Sequence, residues 1–284
     1  MFKFNFAADC DDTNGTEKVI AAVSEKIQWL PSQEIFISDV KSPDQSDLFD
    51  LENLLACGNL NIFYYDSTSM LHLRSENLAL LTELENQHSD LLAGKYEGGF
   101  KIWECTFDLI NFMSKNMDMF QFDNAKVLDL GCGAGIIGLY AMLRGATVYF
   151  QDYNSDVLKI LTVPNVMLNK TKYKELESSV QRFFSGDWDS FCDLLISDPK
   201  FNVEDKFDYI LTTETIYNTD NYEKLYTLFK KLLKTKGDIF VSAKSHYFGV
   251  GGSINEFIRF ISKEDKFDSK TLWECDQGVR RSIV

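Results

Sequence analysis

From Phe100 onward, short apolar runs alternate with stretches whose apolar residues recur every three or four positions. The runs read as strands buried on both faces, and the stretches between them as amphipathic helices. The pattern predicts helix 103–117, strand 126–130, helix 135–144, strand 147–151, helix 155–168 and strand 180–184. A helix after Trp188 follows, then strand 207–213, helix 220–235, strand 238–243 and helix 253–263. Four lysines (230, 231, 234 and 236) and Gly237 mark the carboxyl end of the 220–235 helix. An antiparallel pair over 270–275 and 279–284 comes last, its final strand stopping after five or six residues. This rhythm predicts an α/β fold, an open and mostly parallel Rossmann-like sheet with helices on both faces.

Residues 1–94 show no sustained period. Short apolar pieces such as Ile35-Phe-Ile and Leu60-Asn-Ile-Phe-Tyr-Tyr are separated by Asp, Ser and Pro. Leucines at 78, 81, 84 and 91 allow one amphipathic helix across 71–92. The division expected is an acidic, partly ordered arm over 1–95 and a single domain over 96–284, joined at Lys95-Tyr-Glu-Gly-Gly99 by paired glycines.

Charge sharpens this division. The net charge is −14; residues 1–95 hold 16 Asp and Glu against 6 Lys and Arg. An acidic surface argues against direct nucleic-acid binding and suits a basic protein substrate steered by charge, or simply a solvated extension. The start turns acidic before a signal-peptide core forms, and no apolar run reaches the eighteen or so residues of a membrane span. The six cysteines make no C-x-x-C pair and the three histidines are scattered, so no metal site is expected. The cysteine usage predicts a reducing, intracellular compartment, with Asn14-Gly-Thr16 and Asn169-Lys-Thr171 unglycosylated; cytoplasm and nucleus are the expected location.

The candidate chemistry lies at the carboxyl ends of the strands, where open α/β sheets bind ligands. The first strand delivers Asp129 and then Gly131-Cys-Gly-Ala-Gly135. Glycine at three alternate positions lets a ligand lie against the backbone, and the helix behind it presents free N–H groups. A dinucleotide fingerprint would need glycine at 136, where the chain has Ile136. Acidic-x-Gly-x-Gly-x-Gly instead resembles motif I of the S-adenosylmethionine methyltransferases, which implies that cofactor and a seven-stranded class I sheet. Asp129 then orients the glycine loop and the methionine amino group, and Cys132 is a small loop residue. Asp152 comes 23 residues after Asp129, the spacing of an acid that accepts both ribose hydroxyls; the alternative is a helix cap. Asp187 could accept an adenine amino group while Trp188 covers the ring, or the two could be a cap and a core tryptophan.

The fourth strand end, Thr213-Glu-Thr-Ile-Tyr217, lacks the prolines that amino methyltransferases of nucleobases carry there. With Tyr96 to Asp108, Gln151-Asp-Tyr-Asn154 and Lys244 to Gly252, it resembles the histidine protein methyltransferases that act on a histidine of large-subunit ribosomal protein L3. The resemblance spans 96–284, and the group's last strand normally runs longer. It implies that Ile102, Trp103, Glu104, Cys105 and Thr106 line the cofactor pocket with Tyr153, Asn154, Gly186 and Thr213. It also implies transfer to the τ nitrogen; a monomer without membrane contact is expected. Trp103 and Glu104 suit a sulfonium cation, although Trp103 could equally anchor its helix. Glu214 is the expected acceptor of the substrate ring's N–H and Tyr217 its packing partner; these two are the catalytic candidates. A lysine methyltransferase and a silent fold relative acting in ribosome assembly stand as alternatives. His246 invites a catalytic label, but a lone histidine more often plays a structural part.

Overall fold

Strand β4, Lys126–Leu130, sets the architecture. Val127 and Asp129 point to one face, Leu128 and Leu130 to the other, and all four are buried. A strand covered on both faces belongs in the middle of a parallel sheet. In this computed structural model, which describes residues 28–41, 48, 50–73, 91, 94–199, 201–202, 205–264 and 266–284, that is its place.

Strand β4 pairs in parallel with β5 (Thr147–Asp152) on one side and β7 (Phe207–Thr213) on the other. Beyond them lie β6 (Gln181–Ser185) and β8 (Leu233–Lys244), also parallel. The antiparallel β10 (Arg281–Ile283) and β9 (Trp273–Cys275) follow β8, and β1 (Gln33–Ile35) adds an eighth strand antiparallel to β6. The order β1-β6-β5-β4-β7-β8-β10-β9 reverses at β4. This reversal opens a cleft above the carboxyl ends of β4, β5 and β7. The expected Rossmann-like sheet of seven strands is present, widened by β1.

Two layers of helix cover it. On one side, α2 (Glu104–Lys115), α3 (Ile136–Leu143) and the composite α4 pack Leu109, Tyr140 and Val166 on Val127, Phe150 and Leu211. Helix α4 runs from Ser155–Val157 through a π-turn at Leu158–Thr162 into Val163–Lys172. On the other side, α5 (Trp188–Ser197), α6 (Tyr222–Leu232) and α7 (Ile254–Glu264) set Phe191, Phe229 and Phe257 against Leu128, Ile210 and Val241.

Within the first 95 residues, β2 (Glu52–Cys57) and β3 (Leu60–Tyr65) form a hairpin, followed by the short helix α1 (Ser67–His72), capped by the Asp66 side chain. Most of the helix expected over 71–92 lies outside the described residues.

Two local expectations change. The 220–235 helix stops at Leu232, and β8 begins at once, with Leu233 opposite Phe207. Lys234 bonds both oxygens of Asp208 at 2.8 and 2.9 Å rather than a helix end. At Gly237 an added Cβ would lie 2.8 Å from the Asp208 carbonyl oxygen, so this glycine marks a close strand approach, not a helix cap. The joint at 95–99 is a tethered segment. Asn154 accepts from Glu97 N–H at 3.0 Å and donates to the Lys95 carbonyl at 2.7 Å.

Candidate cofactor and acceptor site

The glycine loop leaves β4 and turns into α3. Gly131, Gly133 and Gly135 all have positive φ, and a Cβ at Gly131 would lie 2.6 Å from the Thr215 methyl group. Such backbone is open chiefly to glycine. Asp129 holds the loop from below, its Oδ2 accepting from the Gly138 N–H at 2.8 Å. Burial pushes its carboxyl up to about 8 against that donation. Thr162, presented by the π-turn, donates to the Gly133 carbonyl at 2.6 Å.

At the end of β5, Asp152 faces the loop. Its Oδ2 accepts from Gly133 N–H at 3.0 Å and its Oδ1 from Asn154 N–H at 3.1 Å. Burial raises its carboxyl to about 6, a shift that the two N–H donors oppose and the nearby Glu97 reinforces. Asn154 holds the N-cap position of α4 without a side-chain cap bond, and Asp152, two residues before it, lies in the cleft wall.

At the end of β6, Asp187 does cap α5, accepting from Asp189 N–H at 3.1 Å, and pairs with Lys224 at 2.6 Å. Trp188 donates through Nε1 to the Gln151 side chain at 3.1 Å. Both residues also line the cleft, so capping and ligand contact are compatible here.

The end of β7 is the most constrained. Glu214 sits at φ +59°, in the left-handed region that costs a non-glycine residue roughly 1 kcal/mol or more. This turn drives its carboxylate inward, where it is 7% exposed. Tyr247 donates to Oε2 at 2.5 Å, and Lys244 Nζ lies 3.6 Å from Oε1 while pairing with Glu104 at 3.2 Å. Oε1 itself is buried without a hydrogen-bond partner. Burial and the Glu214 charge push the Tyr247 hydroxyl and the Cys105 thiol up, so both stay protonated beside the carboxylate. Tyr217 donates to the Glu97 carboxylate, and burial next to that charge raises its hydroxyl too. Trp103 has Lys101 and Lys244 4.4 and 5.0 Å from its ring centre and donates through Nε1 to the Gly98 carbonyl at 3.2 Å.

These segments line one open cleft. All the residues selected from sequence line it except Glu104, Cys105, Asp129, Gly135 and Asn154. Glu104 turns to Lys244, Cys105 lies buried in α2, Asp129 sits beneath the loop, and Asn154 is spent on the 95–97 segment. His246 is exposed, edge-on to Phe248, and outside the cleft lining. Sequence reasoning did not select Trp29, Glu97, Lys101, Thr215 or Asn221, which all line the cleft. Glu97 and its two glycines could have been found in the quoted motif; Trp29 has no signal in its own neighbourhood.

A family model described as lysine methyltransferase matches residues 59–264, starting upstream of residue 96. Histidine protein methyltransferase 1 homologues align over much of the chain. That of Bos taurus is 42% identical over 72% of this chain and 59% of its own length. That of Dictyostelium discoideum is 38% identical over 67% and 57%, and the Schizosaccharomyces pombe protein 34% over 69% and 66%. The chain therefore spans about three fifths of the length of these relatives.

Proposed function

Since the chain belongs to the lysine methyltransferase family, we propose that it methylates a histidine side chain of a protein substrate. The cofactor is S-adenosylmethionine, which supplies a methyl group activated on a sulfonium. The residues present fit it. The glycine loop has no Cβ to obstruct close approach, Asp152 offers a carboxylate for two ribose hydroxyls, and Asp187 with Trp188 offers an acceptor and a ring at the base end.

Glu214 carries the choice of acceptor. Its Oε1 is buried and accepts no hydrogen bond, the Lys244 ammonium lying 3.6 Å away, so a donor from a ligand would complete it. A neutral imidazole has one N–H and one lone pair, on opposite nitrogens. Glu214 Oε1, taking that N–H, fixes the tautomer whose lone pair faces the methyl group. With an ordinary pKa of about 6.5, the ring is mostly neutral at pH 7 and needs no strong base. Once methylated the ring is cationic, and the Glu214 carboxylate stabilises it until the N–H proton leaves. A lysine acceptor, with a pKa of about 10.4, would first have to lose a proton.

Within this reading the methylated nitrogen is τ, and the substrate is a histidine of ribosomal protein L3. The protein works in cytoplasm and nucleus as a monomer, without direct nucleic-acid or membrane contact. Support comes from the motifs shared with that group and from the net charge of −14, which suits a basic partner. The test is labelled S-adenosylmethionine transfer in an extract lacking this protein, with mass spectrometry of the modified residue. Added protein should label one histidine, and Glu214→Ala should lose at least roughly a hundredfold in rate while still binding S-adenosylhomocysteine. A labelled lysine would replace the histidine reading, and unchanged activity in Glu214→Ala would remove its role.

A further inference from the structure

The wall of the cleft at the ends of β5 and β6 is completed from far upstream. Trp29 lines the cleft beside Tyr153, Asp187 and Trp188. The segment that delivers it is built into the fold. Asp187 N–H donates to the Leu30 carbonyl at 2.9 Å, Ser32 N–H to Ser190 Oγ at 2.8 Å, and Tyr153 Oη accepts from Leu30 N–H at 3.0 Å. Strand β1 then pairs Gln33, Glu34 and Ile35 with Ser185, Phe184 and Phe183. Arg182 clamps the Glu34 carboxylate through two bonds of 2.7 and 2.8 Å. At Gly186, with φ +101°, an added Cβ would lie 2.5 Å from Ser32 Cα and 2.6 Å from the Pro31 carbonyl oxygen. The absence of a side chain at 186 is what lets residues 30–32 cross there.

The Trp29 ring is fixed as well. It stands at 90° to Tyr153 with centroids 6.0 Å apart, and Lys224 Nζ lies 3.8 Å from its ring centre. Lys224 in turn pairs with Asp187. Asp187, Lys224 and Trp29 thus form a chain of contacts that orients an indole at the cleft. By strand order this is the side away from Glu214: β6 and β5 lie on one flank of the glycine loop and β7 on the other.

We infer that Trp29 is a cofactor-binding residue, forming an aromatic wall against the purine end of the nucleoside. The inference rests on the reading that the cleft holds S-adenosylmethionine, and it gives the segment from residue 29 to β1 a part in binding. A flat aromatic ligand gains from an indole face by stacking, whereas the methionine end carries charge and calls for donors and carboxylates. An indole shared with Tyr153, Asp187 and Trp188 therefore belongs to the base.

The test is calorimetry on the full chain with S-adenosylhomocysteine and, separately, adenosine. Trp29→Ala should weaken both by roughly tenfold or more, the usual scale for losing a base–aromatic contact, while Trp29→Phe stays within about threefold. Because Trp29→Ala could also loosen the fold, a second readout uses the unmutated side chain. In chain labelled with 5-fluorotryptophan, the Trp29 resonance, identified by its loss in Trp29→Phe, should shift when adenosine is added. An unshifted Trp29 resonance with ligand bound, or native affinity in folded Trp29→Ala, overturns the inference and leaves the methyltransferase reading intact. Failure of the unmutated chain to bind either ligand overturns both.

Discussion

Asp152 anchors the glycine loop and, on the proposed reading, also accepts from the ligand, so its protonation matters to binding. Its carboxyl is pushed up to about 6, so at neutral pH it is ionised and free to accept, whereas below 6 it carries a proton. A ligand whose hydroxyls donate to it favours the ionised form, so ligand and proton compete. S-adenosylhomocysteine affinity should therefore fall as pH drops through 6, approaching about tenfold per unit well below it. Asp152→Asn should bind weakly and without that slope. Calorimetry from pH 5 to 8 checks this, and a flat profile in the unmutated chain would contradict it. Asp129, the glycines and Asp152 were legible in the sequence because chain-local spacing fixes them relative to one strand and one turn. Tyr247 lies within the 244–252 motif but its bond to Glu214 is visible only in the fold, whereas Lys224 and Trp29 reach the site by packing from segments whose local pattern carries no trace of it. Glu214 was legible as a residue, but its left-handed turn and unpartnered oxygen were not.

At the scale of elements, the hairpin and the glycine loop are tied together by one face of α4. Asn169 accepts from Phe63 N–H at 3.1 Å and donates to the Phe63 carbonyl at 2.6 Å, satisfying both groups on an otherwise open strand. One turn earlier, Asn165 accepts from Tyr65 N–H at 2.7 Å and donates to the Ala134 carbonyl at 2.9 Å, linking β3 to the loop after β4. Asn169→Leu keeps much of the volume but strands two backbone groups, so urea unfolding should show a loss of roughly 2 kcal/mol or more. Native stability in that variant would mean the hairpin bonds do not persist in solution. Asn169-Lys-Thr171 read from sequence only as an unused glycosylation sequon; its asparagine is a strand clamp. The strands and helices from 126 to 213 were legible because apolar period and buried face agree there. The end of α6 was not, because lysine and glycine signal a helix terminus and a strand crossing equally well. Only the Leu233–Phe207 pairing separates the two. The π-turn that brings Thr162 to the Gly133 carbonyl has no sequence signal of its own.

For the whole molecule, the division of labour follows the sheet order. On the proposed reading, the base side is lined from β5, β6 and the segment before β1, the loop comes from β4, and the acceptor side comes from β7, with Lys244 and Tyr247 set against Glu214 from behind. The net charge of −14 adds a longer-ranged effect to these contacts. Exposed charges act over about 8–10 Å at physiological salt, and over much less at higher ionic strength. If the substrate is a basic protein, as proposed, it is attracted before it docks, whereas S-adenosylhomocysteine enters a cleft whose polar groups act at short range. Raising salt from about 50 to about 300 mM should therefore raise the KM for a basic substrate several-fold, chiefly through slower association. Cofactor affinity and kcat should stay nearly level. Steady-state kinetics at four ionic strengths, with cofactor calorimetry at each, separates these effects. A KM that ignores salt would mean that the acidic surface plays no part in substrate capture, and that contacts within the cleft alone select the substrate.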